Sequence, residues 1–338
     1  MQVIQLRGDT AANWTSANPI LAEREFAIET DTMRYKIGDG ITDWNSLSYR
    51  EITGSFTTPI IMSAVDNPSP PLSNTLAFYG HSVAGRVIPK FMGPSGLDNL
   101  LQSEFAGNGI ALATPGNSTT LTYLGMGGFT AVGTVAHPNF STGVNLRSHM
   151  RRTTVTSAAT ANSVSELRYA VPMCYAGEVF GNAVAGGYYF KTRFAISSTV
   201  ANQRVAVGLW SATGATATTQ VPSALTNAIF VGWDAADANL QLMYNDSTGN
   251  CSKIDLLGGY PANNPTAVYE LALFCKPNGD DVGYRVQRLD TSNTVSGVLS
   301  NNLPSKTTTL TYHAYINNGP VAAAVVLEFM RMYLETDF

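Results

Sequence analysis

Aromatic residues set beside amides and carboxylates are the positions in this chain best suited to recognition chemistry. Trp233-Asp234 ends one strand-like run, and Tyr244-Asn245-Asp246 ends the next. An indole or phenol face can stack a sugar ring while neighbouring amide and carboxylate groups take its hydroxyls, so these five are candidate receptor-binding residues. Trp210, at the end of the Arg204 to Trp210 run, is judged the same way. A β-sandwich core also needs large aromatics, and core packing is the competing reading of the three rings. A second set is cationic. Lys191, Arg193, Arg204, Arg285 and Arg288 alternate with apolar residues, as expected of a solvated sheet face or of a patch that meets an anionic surface polysaccharide.

Signatures of catalysis are missing. There is no G-x-S-x-G elbow, no H-E-x-x-H, no phosphate-binding G-x-x-x-x-G-K-[ST] and no dinucleotide-binding G-x-G-x-x-G. His81, His137, His149 and His313 lie far apart in unlike contexts, so none is assigned a catalytic role. Cys174, Cys251 and Cys275 are an odd count without C-x-x-C spacing, which argues for free buried thiols and against a disulfide framework or a structural zinc. Asp31, Asp39 and Asp43 bracket turns, but Ile41 stands where a calcium loop would need a ligand, so they read as turn caps. The expectation is a non-catalytic chain without metal or cofactor. Glycoside hydrolysis stays open as the rival, because its two carboxylates have no fixed sequence spacing.

The elements that must carry these residues follow from charge and periodicity. Charged residues make up 13% of the 338, about half the usual share. The deficit is local: residues 1–54 hold 13 charges, whereas residues 55–145 hold five, Asp66, Arg86, Lys90, Asp98 and Glu104. Either a neutral surface or burial against copies of the same chain would account for it. Residues 1–54 read as a small β domain, with a hairpin over 25–37 and the Gly38-Asp39-Gly40 turn folding Trp44 and Leu47 onto its apolar face. Residues 55–104 are rich in Pro, Ser, Asn and Gly and read as a connector. Leu97, Leu100 and Leu101 suit one or two helical turns that could pack about a symmetry axis or dock on the next domain. Residues 105–338 hold short β-branched and aromatic runs about ten residues apart, including 188–196, 204–210, 228–233, 240–244, 269–274, 283–286 and 325–334. Turns such as Pro277-Asn278-Gly279-Asp280 separate them, which points to an antiparallel sandwich. A net charge of −4 without a basic stripe disfavours nucleic acid, and no apolar run approaches the ~20 residues of a membrane span. No secretory signal is visible at the N-terminus.

Residues 7–14 (RGDTAANW), 19–32 (PILAEREFAIETDT), Tyr35-Lys36-Ile37-Gly38-Asp39-Gly40 and 44–49 (WNSLSY) together resemble the N-terminal domain of phage tail-fibre proteins of the major tropism determinant and hyaluronidase-fibre type. Arg24 departs from that pattern, which has glycine before the Glu. From about residue 93 onward, 94–98 (PSGLD), 150–153 (MRRT), 240–246 (LQLMYND), 269–271 (YEL), 276–279 (KPNG) and 333–338 (YLETDF) resemble a C-terminal tail-fibre module. The resemblance implies a mainly β chain ending in a lectin-like jelly-roll sandwich at the tip of a homotrimeric fibre. It further implies a virion protein assembled in the host bacterial cytoplasm, attached to the phage tail or baseplate through residues 1–54. Its C-terminal sandwich would adhere to a host surface glycan or protein receptor. A tail-spike depolymerase and a purely architectural fibre protein are the alternatives.

Overall fold

The computed structural model describes residues 7–49, 61–66, 68–94, 98–100, 109–116 and 120–337. The chain divides into two compact units, Met1–Met62 and Ser63–Phe338. In the first, the expected hairpin forms as Phe26–Glu29 against Tyr35–Ile37, and Arg7–Asp9 adds in parallel to Phe26–Glu29. A short helix, Ala11–Ala17, is capped by Thr10, whose side chain accepts from the Asn13 backbone N–H. The aromatic motif residues make the core: Trp14 stacks on Trp44 with ring centres 4.5 Å apart, and the Trp14 indole donates to the Ile28 carbonyl. Lys36 is buried against this stack, its Nζ 4.6 Å from the Trp44 ring and 4.2 Å from the Tyr49 ring. Glycine at 38 is obligatory, because a Cβ there would lie 2.1 Å from the Ala22 carbonyl oxygen. Asp39 and Asp43 act as the expected turn caps, Asp39 accepting from the Ile41 and Thr42 N–H groups and Asp43 from Ser46, whereas Asp31 accepts from the Ala11 N–H at the start of the helix. Those bonds hold the Asp39 carboxyl down at about 2, with the Thr42 hydroxyl the largest contributor. Arg24 adopts φ +66°, the left-handed conformation that favours glycine.

The second unit is an antiparallel β-sandwich, mainly β as expected. One sheet has the order Ser252–Asp255, Gln241–Asn245, Ala228–Trp233, Arg204–Trp210, Thr311–Asn317, Val164–Arg168, Thr130–Val132. The facing sheet runs Thr134–Ala136, Thr153–Thr156, Val326–Asp337, Ala183–Ile196, Val268–Cys275, Val282–Arg288, Asn293–Leu299, and Gly109–Pro115 also pairs along Val326–Asp337. Alternation decides which side chains meet between the sheets. Val205, Val207 and Leu209 point inward against residues such as Phe194, Leu271 and Phe329, whereas Ala206 and Trp210 point outward.

Parts of the outward faces are covered too, by the chain's own loops, and strands such as Ala228–Trp233 and Thr311–Asn317 are buried throughout. Leu225 covers Trp210, Phe230 and Met243 on the first sheet, and Leu146 and Met150 cover Ala195, Val268 and Met330 on the second.

A hairpin, Ala77–Val83 with Arg86–Met92, lies within the stretch read from sequence as connector and belongs to the sandwich unit. Its turn places Val83 and Ala84 on Tyr189 and Ala272 of the second sheet. Gly283 permits this approach, since a Cβ there would sit 1.9 Å from the Ala84 carbonyl oxygen. Arg86 then reaches Glu335 through two 2.7 Å hydrogen bonds. The helical turns expected near 94–102 are corrected: Asp98–Leu100 extends along Arg86–Met92 as a third strand, because main-chain pairing with an open hairpin edge satisfies its amides without a helix. Leu97 and Leu101 lie outside the described residues.

Candidate functional site

The six aromatic, amide and acidic candidates are not brought together as a ring-stacking site. Trp210 and Trp233 are each only 1% exposed. Trp233 sits between the sheets with its indole N–H donated to the Gln203 carbonyl, and Trp210 stacks on His313 with ring centres 4.2 Å apart. Tyr244 is half-buried at the margin of the inter-sheet core. Register explains the separation: Gly232 pairs with Gln241 and Ile229 with Tyr244, so Trp233 and Tyr244 stand about 13 Å apart along the strands.

Their polar neighbours shape loops. Asp234 accepts from the Ser223 N–H at 3.0 Å and from Lys253 Nζ at 2.7 Å; burial opposes its charge, but these partners hold its carboxyl below the ordinary value. Buried Asn245 donates to the Leu225 and Gly249 carbonyls. Asp246 accepts from the Thr248 N–H and hydroxyl in a turn. A doubly covered sheet needs large rings on both faces, and this is why the core reading holds for both tryptophans.

No motif or spacing signals the acid–imidazole contact that the fold makes. His313 and Glu166 are both wholly buried, 2.9 Å apart from Nδ1 to Oε1, on neighbouring strands. The other ring nitrogen faces the Ala212 carbonyl at 2.6 Å. Both ring nitrogens therefore face oxygen atoms, one of the Glu166 carboxyl and one of the Ala212 carbonyl. Burial opposes the Glu166 charge, but His313 and Thr216 hold its carboxyl below the usual value. The group ties residues 212–216 over the outer face of the first sheet. Only register could have found it, since 147 residues separate the partners.

The cationic set is partly assembled. Lys191, Arg193 and Arg285 share the outer face of the second sheet, where Lys191 pairs across Ala272 with Arg285. Arg204 and Arg288 do not join them: Arg204 donates to the Thr219 and Gln220 carbonyls on the other sheet, and Arg288 is bound to Asp290. Arg331 takes their place. A register shift between Arg193 and Phe194 puts both Met330 and Arg331 outward, so Arg331 is exposed directly opposite Arg193. The strip holds one buried acid, Glu270, which accepts Lys191 at 2.9 Å and Arg193 at 2.8 Å. Burial works against the Glu270 charge, yet these two cations keep its carboxyl below its normal range. Arg285 donates to Gln287 Oε1 at 3.3 Å, and Arg331 has no ion pair among the described residues. Two of the four cations thus share Glu270, and two further buried acids on the same sheet face, Glu335 and Glu328, are taken by Arg86 and Arg147.

The docked hairpin walls one side of this strip and borders an open cavity of about 450 Å³ between itself and the sheet. His81, Ser82 and Asp66 line it from the hairpin side, and Arg285, Thr294 and Ser296 from the sheet. Among the described residues no group of His, Cys, Asp and Glu is placed to hold a metal ion, and no helix is long and apolar enough to cross a membrane.

The chain matches no curated protein. Among solved structures it is similar to a protein of unknown function from Shewanella oneidensis MR-1, at 13% identity over 70% of this chain and 90% of that one, with a TM-score of 0.42. Peanut lectin is similar at 10% identity, 68% and 98% coverage and a TM-score of 0.43. Lectin II from Ulex europaeus is similar at 12%, 62% and 93%, with a TM-score of 0.42. Residues 4–42 match the family model of the major tropism determinant N-terminal domain.

Proposed function

We propose that this chain is a receptor-binding protein of a tailed bacteriophage, a virion component whose first unit attaches to the tail or baseplate and whose β-sandwich adheres to the host surface. The observation that carries this reading is the tropism-determinant domain at residues 4–42, followed by a separate sandwich unit with an open polar strip. The action is adhesion without turnover: several weak sites on one assembly engage a repetitive surface together, so avidity replaces single-site affinity. We further propose a homotrimer. Leu72, Leu76, Phe78, Val87, Phe140 and Val144, all in the charge-poor stretch, remain exposed on the single chain, and burial against sister chains would remove them from water.

Fluorescently labelled full-length chain applied to a panel of bacteria tests the reading. Binding confined to particular strains supports it, and absence of binding to every strain the phage infects contradicts it. Light scattering should give about three times the 36.0 kDa chain mass. A stable monomer would refute the trimer.

A further inference from the structure

We propose that the cavity under the 77–92 hairpin and the adjoining basic strip form one binding site for an acidic polysaccharide, with Arg285 pairing to a carboxylate or phosphate of the ligand. The proposal deepens the receptor-binding reading and rests on it. Three observations carry it. First, the cavity, at about 450 Å³, has the size of a small-ligand site, and its walls offer Ser82, Thr294, Ser296 and His81, groups that can exchange hydrogen bonds with sugar hydroxyls. Asp66, mostly exposed at its edge, is directed to His81 Nδ1 at 3.5 Å.

Second, Arg285 belongs both to the cavity wall and to the strip. Lys191 lies two strands away, about 10 Å across the sheet, and Arg193 and Arg331 sit one side-chain row further along. A polymer seated at Arg285 can therefore meet further cations as it leaves the cavity. Third, the charge is uncompensated. Glu270 is shared by two cations, and Arg285 has only a neutral amide partner. A planar guanidinium so placed favours a two-oxygen anion. The wall's aromatic ring, Tyr284, is 7% exposed and points into the sandwich core, so the cavity has no open ring face on which a nucleic-acid base could stack.

Binding of the full chain would be measured against polygalacturonate, a polyglycerol-phosphate polymer, neutral dextran and double-stranded DNA, at low and at raised salt. The proposal expects one or both acidic polymers other than DNA to bind, dextran not to bind, and affinity to fall with salt. Carboxylate and phosphate ligands are told apart by which polymer binds more tightly. Arg285→Gln should weaken binding roughly tenfold to a hundredfold with an unchanged melting temperature, and Arg331→Gln should weaken it less. Equal binding of dextran, DNA as the tightest ligand, no binding to any acidic polymer, or unchanged affinity in Arg285→Gln would each overturn it. The same variants on host cells separate the two readings. If wild type and the Arg285→Gln/Arg331→Gln double variant adhere equally, this site is wrong and the receptor reading stands. If wild type does not adhere, the receptor reading itself fails.

Discussion

Gly283 is the position on which the hairpin's docking turns, and Gly283→Ala isolates that docking from the stability of the sandwich. A Cβ at 283 would lie 1.9 Å from the Ala84 carbonyl oxygen and 2.8 Å from its carbonyl carbon, so the backbone of the turn must lift by more than 1 Å. The lift separates Val83 and Ala84 from Tyr189 and Ala272, and draws Arg86 away from Glu335. Re-exposing Val83 costs about 1.5–2 kcal/mol. The ion pair lies between two limits: an exposed pair is worth at most ~1 kcal/mol, and breaking a buried one costs 3–5 kcal/mol. The Glu335 side chain is 7% exposed and that of Arg86 27%, so about 2 kcal/mol is a fair middle value. The sum, about 3.5–4 kcal/mol, should raise the open population of the hairpin by nearly three orders of magnitude. Amide hydrogen exchange reads this directly. Residues 77–92 should lose protection in Gly283→Ala while Arg204–Trp210 in the opposite sheet keeps it. Wild-type protection of 77–92 in the variant would refute the docking geometry.

Three further outcomes follow from the same physics. Arg24→Gly should stabilise the first unit by about 0.5–1 kcal/mol, because relief of the left-handed backbone exceeds the added chain entropy of glycine; slower exchange of residues 7–49 would show it, and faster exchange would contradict it. Trp233→Ala should cost ~3–5 kcal/mol of sandwich stability, seen as a large drop in melting temperature; selective loss of receptor binding at unchanged stability would return Trp233 to the binding surface. Because the Glu270 carboxyl is held below its usual 4.5, its pairing with Lys191 and Arg193 contributes fully above about that pH and is lost as pH falls through the lowered folded value. Glu270→Gln should therefore flatten the acid limb of melting temperature against pH, and an unchanged limb would remove Glu270 from the balance.

The sandwich was legible where strands alternate or end in strong turns. Arg204–Trp210 and Ala228–Trp233 match their sequence runs, and the Pro277-Asn278 turn joins Val268–Cys275 to Val282–Arg288 with Asn278 at φ +54°. Thr311–Asn317 is harder to read, because its outward Thr311, His313 and Asn317 are polar yet buried beneath the chain's own loops, so polarity there does not mark a solvent face. The 77–92 hairpin was hidden for a different reason. Gly80, Gly85 and Pro89 read as breakers, yet the two-residue Ala84-Gly85 turn closes the hairpin, and Pro89 sits exposed in a pairing that tolerates its missing N–H. The candidate site was half legible. Parity put Lys191, Arg193 and Arg285 on one face, but Arg331 arrives there through a bulge, and the cavity beside them exists only because Gly283 lets a distant turn approach.

Loops of the chain itself cover the outer sheet faces at Trp210 and at Met330, but the covering residues Leu225, Leu146 and Met150 lie outside the charge-poor stretch 55–145. Phe78 and Val87, each about half exposed, are left on the open side of the hairpin, where the trimer is proposed to bury them.

If the sandwich's basic strip is the face turned to the host, purified chain must compete for phage adsorption. Excess chain is mixed with host cells before the phage is added, and the adsorption rate is measured. Wild-type chain should slow adsorption, and the Arg285→Gln/Arg331→Gln variant, folded and assembled like wild type, should not. Equal inhibition by both proteins, or no inhibition by wild type, would contradict it.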